Sequence, residues 1–333
     1  MNESLLEIRD LKVHYPTRRR LFAPKDAPTA VRAVDGITFD IHRGEVLAVV
    51  GESGCGKTTL GKALTRLLDT TTGKISYRGK DLLQVRGNEL RNLRQKIQTI
   101  FQDPYESLDP RQSIFDIVAE PLLIHQRAAS DLDLKQRVHS ALESAGLFPT
   151  EEIARRYPHL LSGGQRQRVS IAAAMVLEPE FIVADEPVSM LDVSIRAEII
   201  RLMLDLREKN QLTYLFITHD LSLAWMIADR IMVLYLGKMV EVGSARDIIN
   251  TARHPYTQAL VSVVPIPEPN ERIGRIILKG ETPSPLNIPS GCRFHPRCWK
   301  CQQMGNPEIC LTKEPEFGSS DGEHLTACHF ADK

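Results

Sequence analysis

No apolar run in this chain reaches the roughly 18 residues that a membrane-crossing helix needs. The best stretch, Leu221 to Val240, is interrupted by Asp229 and Arg230. Net charge is missing as well: 42 basic residues balance 42 acidic ones, which argues against a mainly electrostatic hold on nucleic acid. The opening Met1-Asn2-Glu3-Ser4 lacks the basic-then-apolar plan of a signal peptide. The chain is therefore expected to stay in the cytosol and to meet a membrane only through a partner. Cysteine is almost absent before residue 292, where Cys55 stands alone. What is present, 333 residues at 42% hydrophobic and 25% charged, is an ordinary globular composition long enough for about two domains.

The chain is organised around Gly51-Glu52-Ser53-Gly54-Cys55-Gly56-Lys57-Thr58-Thr59. An apolar run, Val46 to Val50, precedes it and reads as a buried strand; Leu60 to Leu68 comes after it and reads as a helix. Strand, glycine loop, Lys-Thr and helix is the order a P-loop requires. The glycines let backbone N–H groups turn inward onto phosphate oxygens, and the helix presents its positive end to the same anion. Lys57 then reaches the β- and γ-phosphates and the Thr58 hydroxyl binds Mg²⁺. Cys55 sits at a loop position that any small residue fits.

Around this loop, residues 5–15 and 33–41 read as strands, and Tyr15 is a candidate for stacking on a nucleotide base or, equally, for packing. The basic, proline-bearing stretch 16–30 reads as a loop. Leu82 to Arg94 reads as helical, and Ile97 to Phe101 as a strand leading into Gln102-Asp103-Pro104. Residues 113–156 carry a helical apolar period and form an insert between strands. Leu161-Ser162-Gly163-Gly164-Gln165 leads a helix over 166–177. Phe181 to Ala184 is an apolar strand ending in Asp185-Glu186, the pattern that aims one carboxylate at Mg²⁺ and leaves the next to polarise a water. Ser189 to Asp192 leads into a helix over 193–209. Tyr214 to Ile217 is a strand ending at His219's loop, where ligands of parallel sheets bind. A hairpin about Gly237 closes the alternation.

This set resembles the ATP-binding subunit of an ABC transporter over about residues 5 to 250. The resemblance implies an α/β fold: a P-loop NTPase core with a mostly parallel sheet, an N-terminal antiparallel β part, a helical subdomain at about 104–168 and a small Cys-rich C-terminal extension. It divides the chain into an ATPase domain over 1–250 and an extension over 251–333. It also implies roles. Lys57 and the loop Gly51, Ser53, Gly54, Cys55, Gly56, Thr58 and Thr59 hold ATP; Gln102 and Asp185 serve Mg²⁺ with Thr58. Glu186 is the general base and His219 the γ-phosphate sensor. The signature Ser162, Gly163, Gly164 and Gln165 closes on the ATP of a second subunit, and Asp192 helps the two sites communicate.

Gln102 to Arg111, His254 to Leu260, Gly280 to Pro285 and Ser290 to Cys298 narrow the resemblance to oligopeptide and dipeptide importers. The basic insert before Val31 is similar to that of the second of their two paired ATPases. Implied partners are a second ATPase subunit, non-identical or a second copy, two membrane permeases, and indirectly an external binding protein, with no nucleic acid. The permeases are expected to dock on residues 98–125. Nickel, glutathione or another small solute is the alternative cargo, and a soluble ABC ATPase of translation or DNA repair the distant one.

Residues 265–289 hold six prolines around an expected short strand, 273–278, and read as an extended connector. Beyond it the cysteines run C-x5-C-x2-C-x8-C-x17-C. Related importer subunits carry a four-cysteine tail for a [4Fe–4S] cluster; Cys292, Cys298, Cys310 and Cys328 match it best, with Cys301 as an extra thiol able to replace one. Thiolates suit iron–sulfur clusters and zinc alike, and spacing does not choose between them or free thiols.

Overall fold

Val46–Val50 is apolar at every position because every position is buried, as in a parallel strand covered on both faces. The computed structural model describes residues 3–17, 29–264, 274–318 and 324–331. Most of the basic stretch after residue 16 and the first prolines of the connector lie outside the described residues. In chain order the elements are β1 (Ser4–Pro16), β2 (Ala30–His42), β3 (Val46–Val50), α1 (Lys57–Leu64), β4 (Thr72–Tyr77) and β5 (Lys80–Asp81). Then come α2 (Gly87–Lys96), β6 (Ile97–Ile100), α3 (Pro104–Ser107), α4 (Ile114–Ile124), α5 (Asp131–Ser144), α6 (Thr150–Arg155) and α7 (Gly163–Met175). The second half holds β7 (Phe181–Asp185), α8 (Val193–Asn210), β8 (Thr213–Thr218), α9 (Leu221–Ile227), β9 (Arg230–Tyr235), β10 (Lys238–Ser244), α10 (Ala245–Asn250) and α11 (Pro255–Val261). The tail adds α12 (Trp299–Gln303), α13 (Glu308–Thr312) and β11 (Leu325–Thr326).

These elements form two units. One takes in His42–Glu45 and Gln84–Ile217. In it β8, β7 and β6 are parallel neighbours, and α4, α5, α6 and α7 bury a helical core around Ile114, Val118, Leu122, Val138, Leu142 and Val169. Serines start the helices: Ser113 and Ser162 each make a reciprocal capping box with the residue three positions on, Asp116 and Gln165. Such a box satisfies two amides that the first turn cannot.

The other unit takes in Ser4–Ile41, Val46–Leu83 and Thr218–Lys333. It holds the antiparallel sheet β2-β1-β4-β5 and the run β11-β10-β9-β3, in which β3 and β9 are parallel and β9, β10 and β11 antiparallel. The tail is built into this unit's core. Phe294, Cys298, Cys301 and Cys310 pack with Tyr235, Tyr256, Ile248 and Val261 in one buried cluster. Its polar anchor is Glu241, fully buried, whose carboxylate accepts from the N–H groups of Arg253 and His254 at 2.6 and 3.1 Å and lies 2.7 Å from His324 Nε2. Burial pushes the His254 pKa down to about 4. Its ring is therefore neutral, and Nδ1 caps α11 by accepting from Tyr256 N–H.

Three expectations from the sequence are corrected. Residues 274–278 of the proline connector form no strand; the Ile276 N–H donates to the Ser262 hydroxyl, so a side chain stands where a strand partner would be. The helix expected from Leu82 starts at Gly87, because Leu82 to Arg86 turns out of the β5 hairpin. The signature helix begins at Gly163, three residues before 166, because the Ser162–Gln165 box sets its start.

Candidate nucleotide site

The P-loop joins β3 to α1 as its sequence requires. Gly51 and Gly56 have φ of 153° and 107°, and a Cβ on either would lie 2.3 Å from Leu234 O or 2.0 Å from Ala33 O. No side chain can occupy either position. Gly56 is also the N-cap of α1, with no capping side chain, so this helix start is not closed off by a cap of its own.

Lys57 is buried, yet its Nζ donates only to neutral acceptors: Gly51 O at 2.7 Å, Glu52 O at 3.1 Å and, at 3.9 Å, Cys55 Sγ. Among the described residues no carboxylate forms an ion pair with it. A desolvated ammonium without a counter-charge is unfavourable, and a phosphate chain supplies that charge. The loop therefore fits ATP. Ser53, Gly54 and Thr58 are exposed, Thr59 is half-buried, and Tyr15 is exposed at the end of β1. The Cys55 thiol is buried, and burial pushes its pKa up, so it is not a reactive thiolate. His219 is exposed just past β8; Asp220 beside it caps α9 through Ser222 and Leu223 N–H.

The remaining residues lie in the other unit. Asp185 ends β7 and is buried. Glu186 comes next, in the left-handed region at φ 46°, held by its N–H to Ile217 O at 2.9 Å and by its carbonyl, which accepts from Ser189. Gln102 Nε2 donates to Glu186 Oε2 at 3.2 Å, so the structure brings these two together. At the signature, Ser162 Oγ accepts from Gln165 N–H while Gln165 Oε1 accepts from Ser162 N–H. Gly164 lets α7 approach α8, since a Cβ there would lie 2.6 Å from Ile195 Cγ2. Asp192 is exposed at the N-cap of α8 and makes no capping bond. The guanidinium of Arg166 stacks over the Tyr105 ring at 3.9 Å, tying the segment after Gln102 to the signature helix.

The five tail thiols, Cys292, Cys298, Cys301, Cys310 and Cys328, line one cavity of about 20 Å³. All are free. Burial pushes Cys292 up to about 12 and Cys298 up to about 11, with neighbouring thiols adding to the rise. Among the described residues no group of three or more His, Cys, Asp or Glu is arranged to hold a metal ion.

The sequence reading missed the residues that fasten the P-loop. Glu52 N–H donates to the Tyr256 hydroxyl at 2.9 Å, and the Glu52 carboxylate is held by Arg297 and Thr282. Burial alone would raise the Glu52 pKa, but the hydrogen bonds from Arg297 and Thr282 bring it below the usual range. These partners sit inside stretches already noted as family-like, but no local period reveals which loop they touch.

A glycine cradle around a buried lysine, with a strand-end Asp-Glu pair and a Ser-Gly-Gly-Gln helix start, defines a nucleotide-hydrolysing protein of the P-loop class. The family description "ABC transporter" matches residues 34–189, and "Oligopeptide/dipeptide transporter, C-terminal region" matches residues 240–304. The dipeptide transport ATP-binding proteins DppF of Haemophilus influenzae and Escherichia coli are 45% and 46% identical, over 99% and 100% of this chain and 98% and 96% of theirs. The oligopeptide transport ATP-binding protein AppF of Bacillus subtilis is 46% identical over 98% of this chain and 97% of its own. Among solved structures, the dimeric post-hydrolysis state of the cassette MJ0796 bound to ADP and Pi matches with TM-score 0.64 and 28% identity, over 72% of this chain and 99% of that one. The chain belongs to the ATP-binding proteins of ABC transporters, in the branch with the oligopeptide/dipeptide C-terminal region, and it is an ATPase. No helix among its described residues is long and apolar enough to cross a membrane.

Proposed function

We propose that this chain powers the import of short peptides, binding to two membrane permeases from the cytoplasmic side and closing head to tail on a second ATPase subunit. The observation that carries the proposal is the near-complete alignment with dipeptide and oligopeptide transport ATPases, tail included. The ATPase domain covers 1–250, with the helical subdomain at about 104–168, and the extension covers 251–333.

Lys57, freed from its two carbonyls, and the amides of Gly51 to Thr59 take the phosphates, while Tyr15 stacks on the base. Thr58, Gln102 and Asp185 offer the hard oxygen donors that suit Mg²⁺, which when bound neutralises charge on the phosphate oxygens. Glu186 accepts the proton of the attacking water. Gln102, already bonded to its carboxylate, fixes its direction, and His219 senses the γ-phosphate and orients the base. Ser162, Gly163, Gly164 and Gln165 meet the nucleotide of the opposite subunit, and Asp192 links the two sites. Closure on ATP and opening after hydrolysis form a nucleotide-driven population shift. The dimeric cassette MJ0796 in its post-hydrolysis state, bound to ADP and Pi, supports that cycle. The partner is a non-identical ATPase, and an external solute-binding protein delivers the cargo.

The test is uptake of a labelled dipeptide by membrane vesicles carrying the permeases and this chain. ATP-dependent uptake that vanishes without the chain is expected; loss of nickel or glutathione uptake with peptide uptake intact would replace the cargo assignment.

The proposal extends to the tail: Cys292, Cys298, Cys310 and Cys328 hold a [4Fe–4S] cluster of structural role, with Cys301 able to substitute. Convergence of five thiols on one cavity supports it. Loading requires the thiols to lose their protons. Protein purified without oxygen is expected to carry about four irons and four sulfides per chain. About one zinc and no colour would assign the thiols to zinc instead.

A further inference from the structure

The second residue of the P-loop is an acid, and a carboxylate is out of place in a loop that must hold a polyanion. Left alone, Glu52 would oppose the phosphates and offset the charge of Lys57. It is not left alone. Arg297 Nη1 and Nη2 donate to its two carboxylate oxygens at 2.8 and 3.1 Å, a parallel fork that satisfies both. The Thr282 hydroxyl donates to the same carboxylate and accepts from Arg297 at 3.1 Å. The Glu52 N–H is fixed on Tyr256.

Each holding residue comes from the last third of the chain, and all lie in the same unit as the loop. The hold reaches Lys57 directly, because the Glu52 carbonyl is one of the two carbonyl acceptors of its ammonium.

Arg297 has little freedom to do anything else. It is 8% exposed and ends a short 3₁₀ turn, His295–Arg297. Its guanidinium lies against Tyr235, whose ring packs on Tyr256 and Phe294 at centroid distances of 4.8 and 5.2 Å. The next residue, Cys298, lines the thiol cavity. The tail thus aims one fixed cation at one loop anion.

We infer that Arg297 is a charge-compensating residue for the nucleotide site: by neutralising Glu52, it makes nucleotide affinity depend on the C-terminal tail. The inference rests on the ATPase reading.

The test is equilibrium binding of Mg-ADP to the full-length chain by calorimetry, with ATPase kinetics alongside. Arg297→Met leaves Glu52 charged, and is expected to weaken ADP binding about tenfold, between the effect of an exposed and of a fully buried ion pair. KM for ATP rises by the same factor, and kcat changes less than about threefold. Arg297→Lys, which keeps charge but not the fork, is expected to fall between the two. Glu52→Gln alone is expected to bind ADP more tightly, and Glu52→Gln with Arg297→Met to return to within about threefold of wild type. A merely structural staple would not give opposite signs for the two partners, nor rescue in the double variant. Unchanged binding in Arg297→Met, or a double variant as weak as Arg297→Met, overturns the inference. If Arg297→Met does not melt cooperatively, Glu52→Gln decides: weaker binding overturns it, tighter binding supports it. A wild-type chain that binds no nucleotide would instead sink the ATPase reading itself.

Discussion

Glu186→Gln is expected to abolish most turnover while ATP still binds. The substitution keeps shape and backbone: the introduced amide retains an oxygen to accept from Gln102 Nε2, which now lies 3.2 Å from the carboxylate. The backbone N–H at this position still reaches Ile217 O. The side chain loses only the capacity to take a proton from water. A general base contributes roughly 10²- to 10⁴-fold, so kcat is expected to fall by at least about a hundredfold with the Kd for ATP within a few-fold of wild type. Because opening comes after hydrolysis, the variant, mixed with its partner ATPase subunit, is also expected to accumulate as a closed dimer when ATP is added, visible by size-exclusion chromatography. Hydrolysis near the wild-type rate would remove Glu186 from the role.

The second large effect is expected at Lys57. Lys57→Met preserves length and volume but deletes the buried ammonium, with two losses. Gly51 O, now a partner of Nζ at 2.7 Å, is left without it, while Glu52 O keeps the Cys55 N–H at 3.3 Å. An unmet buried acceptor costs about 1–3 kcal/mol, lowering the melting temperature by a few degrees. The charge-assisted bonds to phosphate disappear as well, at about 1.5–3 kcal/mol each. ATP binding is expected to weaken by at least about tenfold and hydrolysis to fall below detection. Wild-type affinity in this variant would show that the ammonium serves the loop's own structure and not the nucleotide.

The parts of this site that were legible in the sequence share one property: each is a local pattern. Val46 to Val50 announces a covered strand, and Gly51 to Thr58 announces the phosphate loop and the helix it opens. Phe181 to Glu186 places two carboxylates at a strand end with no distant information needed. Even the start of the signature helix was available locally, since Ser162 and Gln165 stand three apart as a capping box requires; placing the helix after Gln165 set its start three residues late. The illegible parts depend on partners far along the chain. Arg297 reaches Glu52 across 245 positions, and no composition or period encodes that pairing. β11 has two residues, too few to show alternation, and exists because β10 offers it an edge. Conversely, Ile276 looked like part of a strand and is not one, because a strand needs a neighbour's backbone and here the Ser262 hydroxyl takes its amide.

Glu186 also carries a conflict between durability and work. Its φ of 46° is one that residues with a Cβ adopt at a cost of about 1–2 kcal/mol, and that glycine adopts freely. Folding alone therefore favours a residue at 186 that does no chemistry. Substitutions that relax this bend tend toward a sturdier, idle protein, so a screen for heat resistance alone would select against the carboxylate.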